Sequence, residues 1–387
     1  MINTWSSGIR SWYGGLRQPE WSKTGDSATG RVNGQGSAWL LVMGYLGAVI
    51  GAGFASGQEI TQFFVAYGSR GGQGAILAMV LFGACGALLL QLAHQEGISN
   101  YQELLACLMG PRLGRAVDLA LGVFLFLGIS TMLSASGAVF YEHLYLPKNT
   151  GIITAYLAVV LLLAAGKKGL IMSYNVLVPA KVILLMSISA WAVWGVKAET
   201  MPAAAMINCP ADPAYWAVSS VLYVAYNFAL AMVVLTEYQP VTGRSAGIRG
   251  ALGGGLILGL LVVMNYLALV KFLPAVLHYE VPMLYVAGRI SITAKHVYTL
   301  VLLMGILTTA IANAYGFAQR LSQLTGLSYG PSLALCMTLA LPVSSRSFSG
   351  LVARIYPLFG ILGVVIIVAL LIKVIRGILQ NTRQKRP

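Results

Sequence analysis

The apolar runs at 74–92, 116–141 and 350–372 each exceed the roughly 18 residues that mark a membrane-spanning helix, and none holds more than one charged residue. Such runs can be buried only in a bilayer or in a core that polar residues then cover. Composition closes the second course. Of 387 residues, 58% are hydrophobic and 9% charged, against about 25% charged in soluble domains. The chain reads as an all-α integral membrane protein that crosses the bilayer many times.

Ten spans are expected, at 38–67 (interrupted), 74–94, 116–142, 150–166, 174–196, 214–236, 248–270, 296–319, 331–345 and 350–376. They make one transmembrane bundle over 38–376. Residues 1–37 are rich in Gly, Ser, Trp and Arg and lack the apolar core and cleavage site of a signal peptide, so they read as a flexible cytoplasmic tail. Residues 377–387 form a basic tail on the same side. Between the second and third spans, Asn100 and Glu103 stand at capping-box spacing, followed by Leu104, Leu105 and Leu108. That pattern predicts a short helix lying at the membrane surface.

The 25 basic residues against 11 acidic ones give a net charge of +14. They form no basic stripe interleaved with aromatics, so nucleic acid is not an expected partner. They sort by side instead. With both termini in the cytoplasm, 16 Lys/Arg fall there, eight fall outside, and Lys181 lies within the membrane, which accounts for all 25. The expected location is a bacterial plasma membrane. Cys85, Cys107, Cys209 and Cys336 have no metal-ligand spacing, and the four histidines sit near span ends. No acid/base or metal constellation of an enzyme is visible, and no repeated filter segment of a channel.

Two spans carry residues that a straight apolar helix would not choose. The first contains Gly51-Ala52-Gly53-Phe54-Ala55-Ser56-Gly57-Gln58-Glu59. Close helix packing would account for the glycines, which cost a helix about 1 kcal/mol each relative to alanine. It would not account for Ser56, Gln58 and Glu59 at the same place. Unwound backbone at membrane depth, lining a cavity, accounts for both. The sixth span holds Tyr223, Tyr226, Asn227 and Phe228 at mid-depth. Spans one and six are equivalent members of two five-span halves, and an odd number of spans per half inverts the second. The expected architecture is a 5+5 inverted repeat with helices one and six broken.

The first of these motifs, with Phe63, Phe64 and Gly68, resembles the opening signature of the bacterial YkvI-type membrane proteins, and Tyr226-Asn227 with Val234-Leu235 resembles their sixth helix. The resemblance covers about 38–376. That family is placed in the amino acid–polyamine–organocation transporter superfamily, with the LeuT-type fold. It implies a secondary active transporter of a small organic solute, an amino acid or a related compound, working by alternating access and coupled to Na+ or H+. A membrane sensor or scaffold without net transport, or an uncoupled exchanger, is the alternative.

Under the resemblance, Gly51, Ala52, Gly53, Phe54, Ser56 and Gly57 expose backbone to the solute, while Tyr223, Tyr226, Asn227 and Phe228 close over it. Ser134 on the third span is a polar contact of the same cavity, or else an interhelical hydrogen bond. Sodium-coupled members of this architecture hold a cation between carbonyls of helix one and paired hydroxyls of helix eight. The matching positions are Gly47 and Ile50 with Thr308 and Thr309, so a bound Na+ is the one cofactor expected; the threonines could equally bond back to their own helix. Some proton-coupled members carry instead a helix-five lysine whose ammonium replaces sodium, and Lys181 is placed for that, or for snorkelling to the interface. Glu59 is expected at the external vestibule, paired with Arg354 as a gate or titrating during transport.

Overall fold

A computed structural model describes residues 34–164, 167–196 and 211–384, and it is all-helical over them apart from turns and connecting segments. The expected N-terminal tail up to residue 33 lies outside the described residues. The first apolar stretch folds in three pieces, α1 (Gly34–Val49), α2 (Ala52–Ser56) and α3 (Gln58–Phe63). Then follow α4 (Ser69–Glu96), α5 (Tyr101–His143), α6 (Lys148–Ala164) and α7 (Lys167–Gly195). The second half comprises α8 (Trp216–Tyr238), α9 (Arg244–Val270), α10 (Pro282–Ile290), α11 (Ile292–Thr325), α12 (Tyr329–Ser344) and α13 (Phe348–Gln384).

Six of these are long and apolar enough to cross a membrane, at Ser69–Glu96, Pro111–His143, Pro213–Tyr238, Arg244–Val270, Ile292–Ser322 and Phe348–Gln380. Three shorter apolar helices, at Lys148–Leu163, Pro179–Gly195 and Tyr329–Ser344, stand beside them. Large apolar side chains such as Leu161, Ile183, Leu358 and Ile361 point outward from the bundle. A bilayer covers such a surface and water does not.

Glycine sets how closely the helices approach. A Cβ on Gly255 of α9 would stand 2.5 Å from the amide nitrogen of Gly83 on α4, so these two helices touch backbone to backbone. On α13, a Cβ on Gly363 would strike the carbonyl of Ala225 and come within 2.9 Å of the Tyr226 amide on α8. That contact presses α13 against the aromatic stretch of α8.

A short helix is present where one was expected between the second and third spans. Asn100 caps α5, its side chain accepting from the Glu103 amide at 2.8 Å. Gly110, at φ +80°, bends the chain before Pro111 opens the long third span. Left-handed backbone favours glycine, and proline suits a helix start.

Four features differ from expectation. The first helix begins at Gly34 rather than at 38, and the last continues to Gln384 through much of the expected tail. The sixth span is not broken. α8 runs continuously through Tyr223–Phe228, and the Asn227 amide is satisfied by donating to the Tyr223 carbonyl at 3.0 Å on its own helix. Finally, α10 was not expected at all; its Met283, Leu284, Val286 and Ala287 are buried.

Candidate functional site

The interruption of the first span is built from two glycines. At the first, Gly51 is extended, and its amide donates to Val49 at 2.8 Å instead of to Gly47, where a continuous helix would send it. At the second, Gly57 has φ +81° and separates α2 from α3. A Cβ there would meet Met283 Cγ at 2.6 Å, so Gly57 is required by backbone and by neighbour alike. Side chains bind the freed backbone groups. Ser56 Oγ donates to Gly53 at 2.8 Å, Thr61 to Gly57 at 2.9 Å, and Tyr298 of α11 to Ala55 at 2.6 Å.

Two ionisable side chains meet at this interruption, one from α7 and one from α3 itself. Lys181 of α7 is 4% exposed and donates from Nζ to the Ile50 carbonyl at 3.1 Å. It does not snorkel. Its stem passes Gly305, and Thr309 Oγ1 lies beside Gly51, so α7, α11 and the interruption meet here. Thr308 and Thr309 turn their hydroxyls onto Gly305 of their own helix, at 3.0 and 2.9 Å. Gly47 is half-buried within α1.

Glu59, also 4% exposed, folds its carboxyl over Gly53, where a Cβ would collide with Oε1. Its Oε2 accepts from the Tyr226 hydroxyl of α8 in a short hydrogen bond. Tyr226 sits at the centre of an aromatic cluster. Its ring lies 5.7 Å from Phe63, 5.7 Å from Tyr223 and 4.9 Å from Tyr356 of α13. Phe63 also faces a cleft of about 100 Å³ lined by Tyr67, Tyr215, Ser219 and Pro357. Gln58 Oε1, Tyr223 OH and Ser130 Oγ are buried with no hydrogen-bond partner among the described residues.

The expected gate between Glu59 and Arg354 is not formed. Arg354 is exposed on α13, whereas Glu59 turns inward because Gly53 leaves room for it and Tyr226 supplies a donor. Ser134 is not in the central cluster either; it donates to the Arg346 carbonyl at 2.6 Å beyond the end of α12. Ala52, Gly53, Phe54, Ser56, Tyr223, Tyr226, Asn227 and Phe228 are all buried around the interruption and α8. Sequence reasoning missed Tyr298, Tyr356 and Met283. The tyrosines carry no signal within apolar spans, and Met283 belongs to a connection read as a loop.

Comparison with known proteins gives two curated relatives, both from Bacillus subtilis (strain 168). The uncharacterized membrane protein YkvI is 30% identical over 341 residues, 88% of this chain and 96% of its own. The uncharacterized protein YyaD is 26% identical over 339 residues, 87% of this chain and 96% of its own. No family model matches. Among solved structures, MhsT in complex with L-phenylalanine superposes with a TM-score of 0.59 at 14% identity, covering 84% of this chain and 87% of that one. A manganese transporter of Eremococcus coleocola gives 0.55 at 13%, covering 84% and 76%. Mhp1 in an inward-facing conformation gives 0.50 at 14%, covering 86% and 75%. These likenesses establish a LeuT-type fold.

Proposed function

The chain belongs to the YkvI family of membrane proteins, and from that footing we propose that it is a secondary active transporter of a small organic solute, an amino acid or a related compound. The observation that carries the reading is the interrupted first span, flanked by buried Lys181 and Glu59, neither of which forms an ion pair among the described residues. Ionisable groups held at such depth are costly and mark transport pathways. Solved structures of the same fold include one with L-phenylalanine bound and one of a manganese transporter.

The proposal includes ten spans in two inverted halves of five, both termini cytoplasmic, in a plasma membrane. Helix packing supports it: α1 packs on α9 and α8 on α4, a pairing that exchange of the halves converts into itself, and α4–α9 and α5–α11 join equivalent members. The solute would enter by the cleft at Phe63 and sit between the interruption and the aromatic face of α8.

For coupling, the ammonium of Lys181 takes the Ile50 carbonyl that a sodium ion would need. Two unit charges 4 Å apart repel by about 4 kcal/mol at an effective dielectric near 20. Proton coupling through this region is therefore the reading we favour over bound Na+. Uptake of labelled amino acids into proteoliposomes, with sodium and proton gradients imposed separately, tests it. Saturable, counter-transported uptake supports carriage; binding of a solute without flux would leave the sensor reading.

A further inference from the structure

The floor of the interruption is acidic, and this bears on which end of a solute can face it. Glu59 Oε1 rests over Gly53 and accepts no hydrogen bond among the described residues, while Oε2 is held by Tyr226. The rings of Tyr223, Phe63 and Tyr356 gather about Tyr226, whose hydroxyl holds that carboxyl. Lys181 is committed to Ile50. A solute carboxylate seated against Gly53 would meet a carboxyl group where the resemblance leads one to expect free backbone amides.

We infer that Glu59 is a specificity-determining residue of the site, and that it receives a cationic nitrogen of the solute, a protonated amine or guanidinium, between its carboxylate and the aromatic rings around Tyr226. The chemistry is complementary on every side. A carboxylate accepts the N–H donors, and aromatic rings attract the positive charge. A zwitterionic amino acid satisfies the requirement through its ammonium, and a simple amine satisfies it without any carboxylate. In this structure the carboxyl is buried and held by Tyr226, so the seat opens by movement of that ring.

The inference deepens the transporter reading, but binding alone tests it. The purified full-length protein in detergent is melted in the presence of three probes on one carbon skeleton: phenethylamine, phenylalanine and 3-phenylpropionate. A second set is isoamylamine, leucine and 4-methylpentanoate. At least one amine-bearing probe should raise the melting temperature, and the matching acid should not. Glu59→Gln should weaken that binding about tenfold or more, as loss of a charge-assisted hydrogen bond does, and Glu59→Asp should restore part of it. Equal binding of acid and amine, unchanged affinity in Glu59→Gln, or no response to any amine-bearing probe would each overturn the inference. Should Glu59→Gln fail to fold, the amine–acid contrast on the natural chain still decides. Counterflow in proteoliposomes separates the two claims. Binding without flux removes the transporter reading and leaves this one, whereas undiminished flux of an amine in Glu59→Gln does the reverse.

Discussion

Lys181 Nζ donates to the carbonyl oxygen of Ile50 at 3.1 Å, joining α7 to the point where the first span leaves its helix. Each irregularity answers the other. The interruption exposes a carbonyl that no helical amide takes, and the buried ammonium is a donor in need of one. Removing either leaves the other unsatisfied at a cost of about 1–3 kcal/mol. The pairing also fills one oxygen ligand of the expected sodium site, and the Thr308 and Thr309 hydroxyls are occupied with Gly305.

Uptake should accordingly proceed without sodium and follow a pH gradient. Lys181→Ala should abolish that coupling. Saturable dependence on sodium, weakened when Thr308 and Thr309 are both changed to Ala, would instead restore the sodium site.

Gly53 should tolerate no large side chain. Its missing Cβ leaves the space that the Glu59 carboxyl occupies. Gly53→Leu is expected to cost about 1–3 kcal/mol of overpacking and to reduce uptake to background while the protein remains in the membrane. Gly53→Ala demands only that the flexible Glu59 side chain shift, and should keep measurable uptake. Membrane abundance and uptake, measured side by side, check both.

Much of this architecture is legible in the sequence because a bilayer demands long apolar helices with few alternatives. The expected second span, 74–94, lies inside Ser69–Glu96, and the expected eighth, 296–319, inside Ile292–Thr325. Gly51 and Gly57 marked the interruption because glycine with polar neighbours is costly in an apolar helix. What the sequence could not convey was side-chain direction. Glu59 turns inward to Tyr226 rather than outward to Arg354, a choice made by the absent Cβ of Gly53 and by a hydroxyl 167 positions away. Asn227 signalled a break, yet it bonds back to its own helix and α8 stays whole. α10 escaped notice because nine residues are too few to stand out beside membrane spans.

Gly57→Ala should destabilise the protein twice over. Left-handed backbone costs a Cβ-bearing residue about 1–2 kcal/mol, and the added methyl group would press on Met283. Changing Met283 to Ala in the same chain should relieve part of the second cost only, because it removes Cγ and leaves the Met283 amide nitrogen at 3.1 Å and Cβ at 3.3 Å. Thermal melting of the two single variants and the double variant separates them. Full recovery in the double variant would mean that the backbone conformation at Gly57 carries no cost.

The two ends of the bundle are chemically distinct, which makes the orientation testable. At one end Glu142 accepts from the Glu280 and Val281 amides, at 2.8 and 3.3 Å, and Ser134 and Lys148 donate to the Arg346 carbonyl. At the other, Arg320 pairs with Asp118 at 2.8 Å, and Lys373 with Glu96 at 3.7 Å. In the proposed orientation, which follows the excess of basic residues, the second end faces the cytoplasm. A cysteine introduced in place of Arg346 keeps the backbone oxygen that Ser134 and Lys148 use, so the local fold should survive, and its exposed side chain should react with an impermeant thiol reagent from outside. Cysteines at positions 3 and 383 should react only after the membrane is opened. The native Cys85 and Cys336 are buried and Cys107 is partly so; the unaltered chain supplies the background. Labelling of both terminal positions from outside, with position 346 protected, would reverse the orientation and with it the side from which the Phe63 cleft receives solute.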